Sequence, residues 1–531
     1  MLGALALAAA SVAAIPPPAP QSAAEENVEE LGRTKRPDRE LQFFGYFLTR
    51  GEMTNIAPEN DLFKGQVVGR LFGPNTTNTS NKRSVFVEQR FLPIFIYEPR
   101  LLSRRARLRT SFEIDWTYGD TSNATGANFG GGFNADQVNL QTQNLEIEID
   151  LPRKGWHIDL GLQRLYDTAY NPYTTAVSTL FNTGERLAFW GSDAVGATVY
   201  GREGDWSFKA GGYQLWENLI QKDDDVWMLE AAADRHIMKT WHVGATTRYL
   251  RDSSTGEGGI GILGQGPNSQ LADYMGTFRF GIPEDVENWH GNFVWAGLNT
   301  HYNVDFAAGR LMASGFAVGN FGNIQTELPE EPDQYDKLTN ILGLAADARV
   351  GVRYGPSTRD TITAEFIYSS GDADALEDGT YSGVVTGNTW GGPGAIFAST
   401  GTYLLFPHAN VVNRFYAAVL DLSNAGFGVS GGVVNMRYDI IRNKLAAKVG
   451  VGAARSNVQP VEGANFIGAE YNLNVSWRIM PMLDLDLHAA YMNLGGYFDS
   501  PEIVEPDDET MQTVRPRDPW TTFLTLKWLM F

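Results

Sequence analysis

The chain has 531 residues, with 42 Lys and Arg against 62 Asp and Glu, and a formal charge of −20. That sign argues against a nucleic-acid binder, and the lack of cysteine excludes disulfide frameworks and thiolate-held zinc or iron–sulfur centres. Glycine (57) and aromatics (29 Phe, 21 Tyr, 13 Trp) are abundant, and no stretch after residue 15 is long and apolar enough for a spanning helix; a soluble all-β protein or a transmembrane β-barrel is left.

Residues 1–15 carry the apolar run LGALALAAASVAAI, which closes in small residues at Ala13 and Ala14 and reads as a signal-peptide-like segment. Met1 is followed directly by Leu2, so the positive charge usual at such a start is missing. Residues 16–40 are rich in Pro, Ala and Glu and read as a tether. Residues 41–83 are more apolar and are expected to form a short plug-like or peripheral element.

From residue 84 to 531 apolar residues recur at every second position. In 105–118, Ala106, Leu108, Thr110, Phe112, Ile114, Trp116 and Tyr118 oppose Arg105, Arg107, Arg109, Ser111, Glu113, Asp115 and Thr117. A strand separates these sets onto two faces, whereas a helix would mix them. Leu145, Ile147, Ile149 and Leu151 likewise oppose Glu146, Glu148 and Asp150, and Trp156, Ile158, Leu160 and Leu162 oppose His157, Asp159 and Gln163. Trp241, Val243, Ala245, Thr247 and Tyr249 oppose His242, Thr246 and Arg248. Leu344, Ala346, Ala348, Val350 and Val352 oppose Asp347, Arg349 and Arg353. Near the end, Ile467, Ala469, Tyr471, Leu473, Val475 and Trp477 oppose Glu470 and Arg478, while Leu483, Leu485 and Leu487 oppose Asp484 and Asp486.

Runs of this kind exceed the ~5–6 residues of an average soluble strand and match the ~9–11 needed to cross a bilayer obliquely. Aromatics at their ends suit interfacial girdles. The fold class is therefore an all-β, transmembrane antiparallel barrel. Nineteen candidate strands, including weak ones near 88, 192 and 309, give an expected even count of 18, with 16 next. Short turns are expected at 153–155, 203–205 and 356–358. Longer connections are expected at 119–136, 166–185, 251–270, 323–338, 371–409 and 496–517; the 371–409 segment could fold inward or rest on the rim.

Apparent catalytic signals fail their context. Gly428–Gly432 spells the hydrolase elbow around Ser430, but an alternating strand follows where a helix is required. Gly259-x-Gly261-x-x-Gly264 lies in a Gly/Ser stretch with no following helix. The seven histidines include no HExxH and no closely spaced pair, so no dedicated metal site is expected. Asp223–Asp225 and the acidic run 507–509 are compatible at most with loose surface Ca²⁺.

The signal-like start, the strands of 84–531 and the terminal Phe531 make the chain resemble Gram-negative outer-membrane barrels, specifically large single-chain porins and the 18-stranded alginate-export-like family. LEIEID…WHIDLGLQRLYDTAYNP, with Gly161, Arg164 and Asp167, resembles an early porin strand pair. The resemblance implies a bacterial outer-membrane location, a lipid surround and contact with the assembly machinery during biogenesis. It makes 16–40 a periplasmic tether and 41–83 a periplasmic or plug-like element.

It also implies a non-enzymatic, cofactor-free channel for small polar or saccharide solutes. A non-conducting surface receptor or structural barrel, with a periplasmic or surface protein partner, is the alternative, and an outer-membrane hydrolase a distant third. The pore-lining set is Arg105, Arg107, Arg109, Glu113, Asp115, Glu146, Glu148, Asp150, Asp159, Arg248, Asp347, Arg349, Arg353, Glu470, Arg478, Asp484 and Asp486. An arginine-rich lumen suits an acidic polysaccharide, as in the alginate exporter, but the carboxylates on the same face depart from that pattern. Arg105, Arg107 and Arg109 beside Glu146, Glu148 and Asp150 are expected either to form an ion-pair ladder across two strands or to separate into basic and acidic strips that orient polar solutes.

Overall fold

The computed structural model describes residues 40–58, 77–103, 105–118, 123–124, 128–129, 139–173, 175, 183–185, 193–216, 224–253, 288–328, 331–374, 378–385, 401–406, 419–420, 424–504 and 515–530. The signal-like segment and nearly all of the tether therefore lie outside the described residues. The wall begins with β1 (Leu41–Pro58), β2 (Thr77–Tyr97), β3 (Ala106–Tyr118), β4 (Asn139–Asp150), β5 (Trp156–Arg164) and β6 (Asp193–Glu203). It continues with β7 (Trp206–Trp216), β8 (Val226–Met238), β9 (Trp241–Asp252), β10 (Trp289–Tyr302), β11 (Leu311–Leu328) and β12 (Glu331–Arg353). It ends with β13 (Thr361–Ser369), β14 (Val429–Ile441), β15 (Leu445–Ser456), β16 (Phe466–Met480), β17 (Leu483–Leu494) and β18 (Trp520–Met530).

Each strand pairs antiparallel with its neighbours in the chain, and β1 pairs with β18 from Gly45 opposite Met530 to Thr54 opposite Thr521. The sheet is thus a closed ring of 18 strands with no free edge, the condition lipid imposes on a β-structure.

The expected number is correct, but one strand lies where the alternation gives none. Residues 41–58 and 77–83 are not a plug: β1 and the start of β2 lie there, and β1 closes the ring. The inward face of β1 is apolar at its beginning (Phe44, Tyr46, Leu48) and ionic only from Arg50 onward, which hides the two-residue period. The expected strands near 277 and 415 lie outside the described residues. The flanking strands β9 and β10, and β13 and β14, pair directly with one another.

Connections from even to odd strands are short, such as 151–155, 204–205, 239–240 and 442–444, and both ends of the sheet lie on that side. Most connections from odd to even strands are long, such as 165–192 and 370–428. This asymmetry puts the short turns on the periplasmic side. The loop expected at 323–338 is instead the tip of a long hairpin, because β11 continues to Leu328 and β12 starts at Glu331.

The faces segregate as the period requires. Leu145 and Ile147 are 51% and 45% exposed, while Glu146 and Glu148 between and beside them are each 1% exposed. Ile467 departs from its expected outward set and is fully buried, because a bulge opposite Ala454 and Arg455, with Gly468 at φ +154°, shifts the register. At the end of the chain Leu524 and Trp528 point outward, so the parity of Met530, Trp528, Leu526 and Leu524 is the outer one. Phe531 lies outside the described residues.

Candidate functional site: the ionic inner wall and its inward connections

The inner wall is built from the polar half of each alternating strand. On β3 and β4, Arg107 stands opposite Glu148 and Arg109 opposite Glu146. Arg109 Nη1 lies 2.6 Å from Glu148 Oε2 and 3.2 Å from Glu146 Oε1. Arg107 pairs with Glu148 and with Asp150 at 3.2 Å, and Glu98 approaches it at 3.6 Å. The expected ladder therefore exists. Arg105 does not join it: it precedes the first residue of β3 and is exposed, and among the described residues its carbonyl accepts from Asp150 N at 2.7 Å. Glu113 and Asp115 occupy β3 positions opposite Gln141 and Asn139, and their side chains lie outside the described residues.

Asp159, Arg248, Asp347, Arg349, Arg353, Glu470 and Asp486 are all buried within the ring. Asp159 accepts from Asn171 Nδ2 at 2.7 Å, Arg349 Nε donates to Ser314 Oγ at 3.3 Å, and Asp486 lies 3.4 Å from Lys527 Nζ. Arg478 and Asp484 are half-buried near a short turn and pair at 3.1 Å. Ionic residues not assigned to the wall from sequence include Arg50, Glu88, Lys209, Glu230 and Asp234. Arg50 Nη2 meets Glu88 at 2.6 Å, and Lys209 Nζ meets Glu230 at 2.5 Å. The alternation of Ser207, Lys209, Gly211 and Tyr213 against Trp206, Phe208 and Ala210 was the available signal for Lys209. Glu230 and Asp234 alternate with small residues, and the contrast is weak.

Two long connections turn into the ring. The first follows β5. Asp167 Oδ1 is 2.7 Å from Arg248 Nη1, and the Tyr166 carbonyl accepts from Lys209 Nζ at 3.0 Å and Arg248 Nη2 at 3.2 Å. Further along, Glu185 accepts from Thr246 at 2.7 Å and from Asn299 at 2.8 Å. Burial is the main reason that the Glu185 carboxyl is pushed up to about 7. Gly184 is at φ +68°, and any Cβ there would overlap the Asp167 carbonyl.

The second inward connection follows β13. Val385 N donates to Asn320 Oδ1 at 3.0 Å, and Trp295 Nε1 donates to the Val385 carbonyl at 2.8 Å. The amides of Tyr403, Leu404 and Leu405 donate to the Glu470 carboxylate at 2.7, 2.9 and 2.7 Å. Glu470 therefore acts as an anchor for this connection. Of the two placements open for 371–409, the inward one holds for the described parts. Ser430 sits in extended β14 and donates to Asn457 at 2.6 Å, so no elbow forms. Asp223, the 259–264 glycines and 507–509 lie outside the described residues.

An even ring of antiparallel strands, apolar outside, ionic inside and short-turned at one end, is an outer-membrane β-barrel. No protein-family model and no curated protein matches the chain. Among solved structures it is similar to Pseudomonas aeruginosa OccK8 (OprE), at 10% identity, TM-score 0.45, over 92% of this chain and 98% of the other. It is similar as well to Acinetobacter baumannii OccAB4, at 11% identity, TM-score 0.44, over 93% and 99%. Pseudomonas aeruginosa OccK1 (OpdK) gives 11% identity, TM-score 0.44, over 92% and 98%.

Proposed function

We propose that this barrel is a channel that passes small polar solutes, saccharides among them, through a charged aqueous lumen. The observation that carries the reading is the density of buried ionic groups of both signs on the inner wall. Many of them pair across neighbouring strands, and such a polar inner face is what a barrel presents to a water-filled lumen. Paired rows such as Arg107 and Arg109 against Glu146 and Glu148 stiffen the wall, and the inward connections narrow the space beside it. In a narrow passage the wall potential raises the local concentration of solutes of opposite sign.

Single-channel recording of the purified barrel in planar bilayers tests this. Discrete conductance steps are expected, with an ion selectivity that shifts toward cations in Arg107→Ala and Arg109→Ala. A folded barrel that never conducts would reject the reading in favour of a receptor or structural role.

A further inference from the structure

The geometry points to a transition-metal site at the periplasmic end of the lumen, formed by Tyr170, Asp234, His236 and His242. The two-residue turn at 239–240 folds β8 onto β9 so that His236 and His242 are cross-strand partners. Asp234 lies one inward step further along β8, opposite Gly244, which has no side chain to crowd it. From the other side, the first inward connection delivers Tyr170.

Its hydroxyl lies 2.6 Å from Asp234 Oδ1, 2.9 Å from His236 Nε2 and 3.1 Å from His242 Nδ1. Asp234 Oδ1 and His242 Nδ1 are 3.2 Å apart, and the carboxylate and imidazole donors all lie within 4.8 Å of one another. A tetrahedral ion with bonds of about 2.0–2.1 Å separates its ligand atoms by roughly 3.3–3.5 Å. The separations of 2.6–3.2 Å are shorter than this, so an ion at the centre requires the side chains to part by up to roughly 0.9 Å.

The donor chemistry selects the ion. Two imidazole nitrogens with two oxygens suit Zn²⁺ or a similar divalent transition ion, whereas Ca²⁺ and Mg²⁺ take oxygen sets of six or more. On binding, the phenol proton leaves to solvent, and a neutral imidazole that carries its proton on the coordinating nitrogen shifts to the other tautomer. The bound ion fastens the connection carrying Tyr170 to the β8–β9 hairpin. This assignment stands apart from conduction, since it concerns only how the connection is held.

The test uses the full barrel in detergent, free of any histidine tag and stripped with chelator. Calorimetric titration with Zn²⁺ is expected to show one equivalent bound, and Co²⁺ is expected to give the strong visible absorption of a four-coordinate site. His242→Ala and Asp234→Asn should each weaken Zn²⁺ binding at least tenfold while leaving heat-modifiable gel mobility unchanged. His157→Ala should leave binding unchanged, although His157 lies in a second group with Glu148 and Asp159. Absence of the stoichiometric Zn²⁺ isotherm from the wild-type barrel, or its persistence in a His236→Ala/His242→Ala variant, would overturn the assignment.

Discussion

Arg248 on β9 joins two carboxylates that arrive from different directions, Asp167 from the inward connection at 2.7 Å and Glu230 from β8 at 3.1 Å. All three side chains are buried, so the guanidinium both solvates its neighbours and ties the connection to the wall. Breaking a buried pair by removing one partner costs about 3–5 kcal/mol, because a charge is left uncompensated. Arg248→Ala is therefore expected to release the 165–173 segment, read as new protease sensitivity there with the barrel still closed. Asp167→Asn should show a smaller release, since Glu230 keeps both Arg248 and Lys209.

The Glu470 carboxylate is the sole described acceptor for three consecutive amides of the second connection. Leaving a buried donor unsatisfied costs about 1–3 kcal/mol. Glu470→Ala should abolish hydrogen-exchange protection at Tyr403, Leu404 and Leu405. Glu470→Gln, which keeps one acceptor oxygen, should reduce it only in part.

Glu185 gives the first connection a pH dependence. Burial raises its carboxyl from 4.5 to about 7, opposed by hydrogen bonds from Asn299 and Thr246; the Asp167 charge adds a smaller rise and the Arg248 charge a smaller reduction. The docked state thus holds the proton more tightly than the released one. Docking is strongest below pH 4.5, weakens as the pH rises toward 7, and is constant above it. Exchange protection at Glu185 N, which donates to the Asp167 carbonyl at 3.2 Å, should fall across that range. In Glu185→Gln the slope attributable to this group should vanish.

Gly184 allows the chain to pass against Asp167. Alanine there incurs about 1–2 kcal/mol for the left-handed conformation alone, before the overlap with the carbonyl is counted. Gly184→Ala should displace the connection as Arg248→Ala does, without removing any charge, and limited proteolysis of the two variants side by side checks this.

Leu473, on the outer face midway along β16, should tolerate alanine and reject arginine. A charge at the bilayer midplane of a barrel costs about 2–4 kcal/mol. Leu473→Arg should lower the urea midpoint in lipid vesicles accordingly, whereas a residue facing water would show little change.

Where lipid and water impose opposite demands on adjacent residues, the wall was legible in the sequence. β4 shows this over 145–150, where Leu145, Ile147 and Ile149 alternate with Glu146, Glu148 and Asp150, and β9 shows it where His242 and Arg248 lie between Trp241, Val243 and Tyr249. β1 escaped because Phe44, Tyr46 and Leu48 make its inner face as apolar as its outer one. The inward connections were not legible because their anchors are distant in the chain: Asp167 meets Arg248, and Leu405 meets Glu470. The His236–His242 pair escaped for a related reason. Five intervening residues look distant on paper, and only the turn at 239–240 makes them face each other.

The seam between β1 and β18 sets the order of biogenesis. Leu48 cannot meet Lys527, nor Arg50 meet Thr525, until almost the whole polypeptide has been delivered. Until then both terminal staves carry unpaired amides and carbonyls, ready to recruit another copy of themselves. A chain truncated before Trp520 would retain seventeen staves and still be unable to shield either border, so its loss should appear as aggregation rather than as a narrower tube.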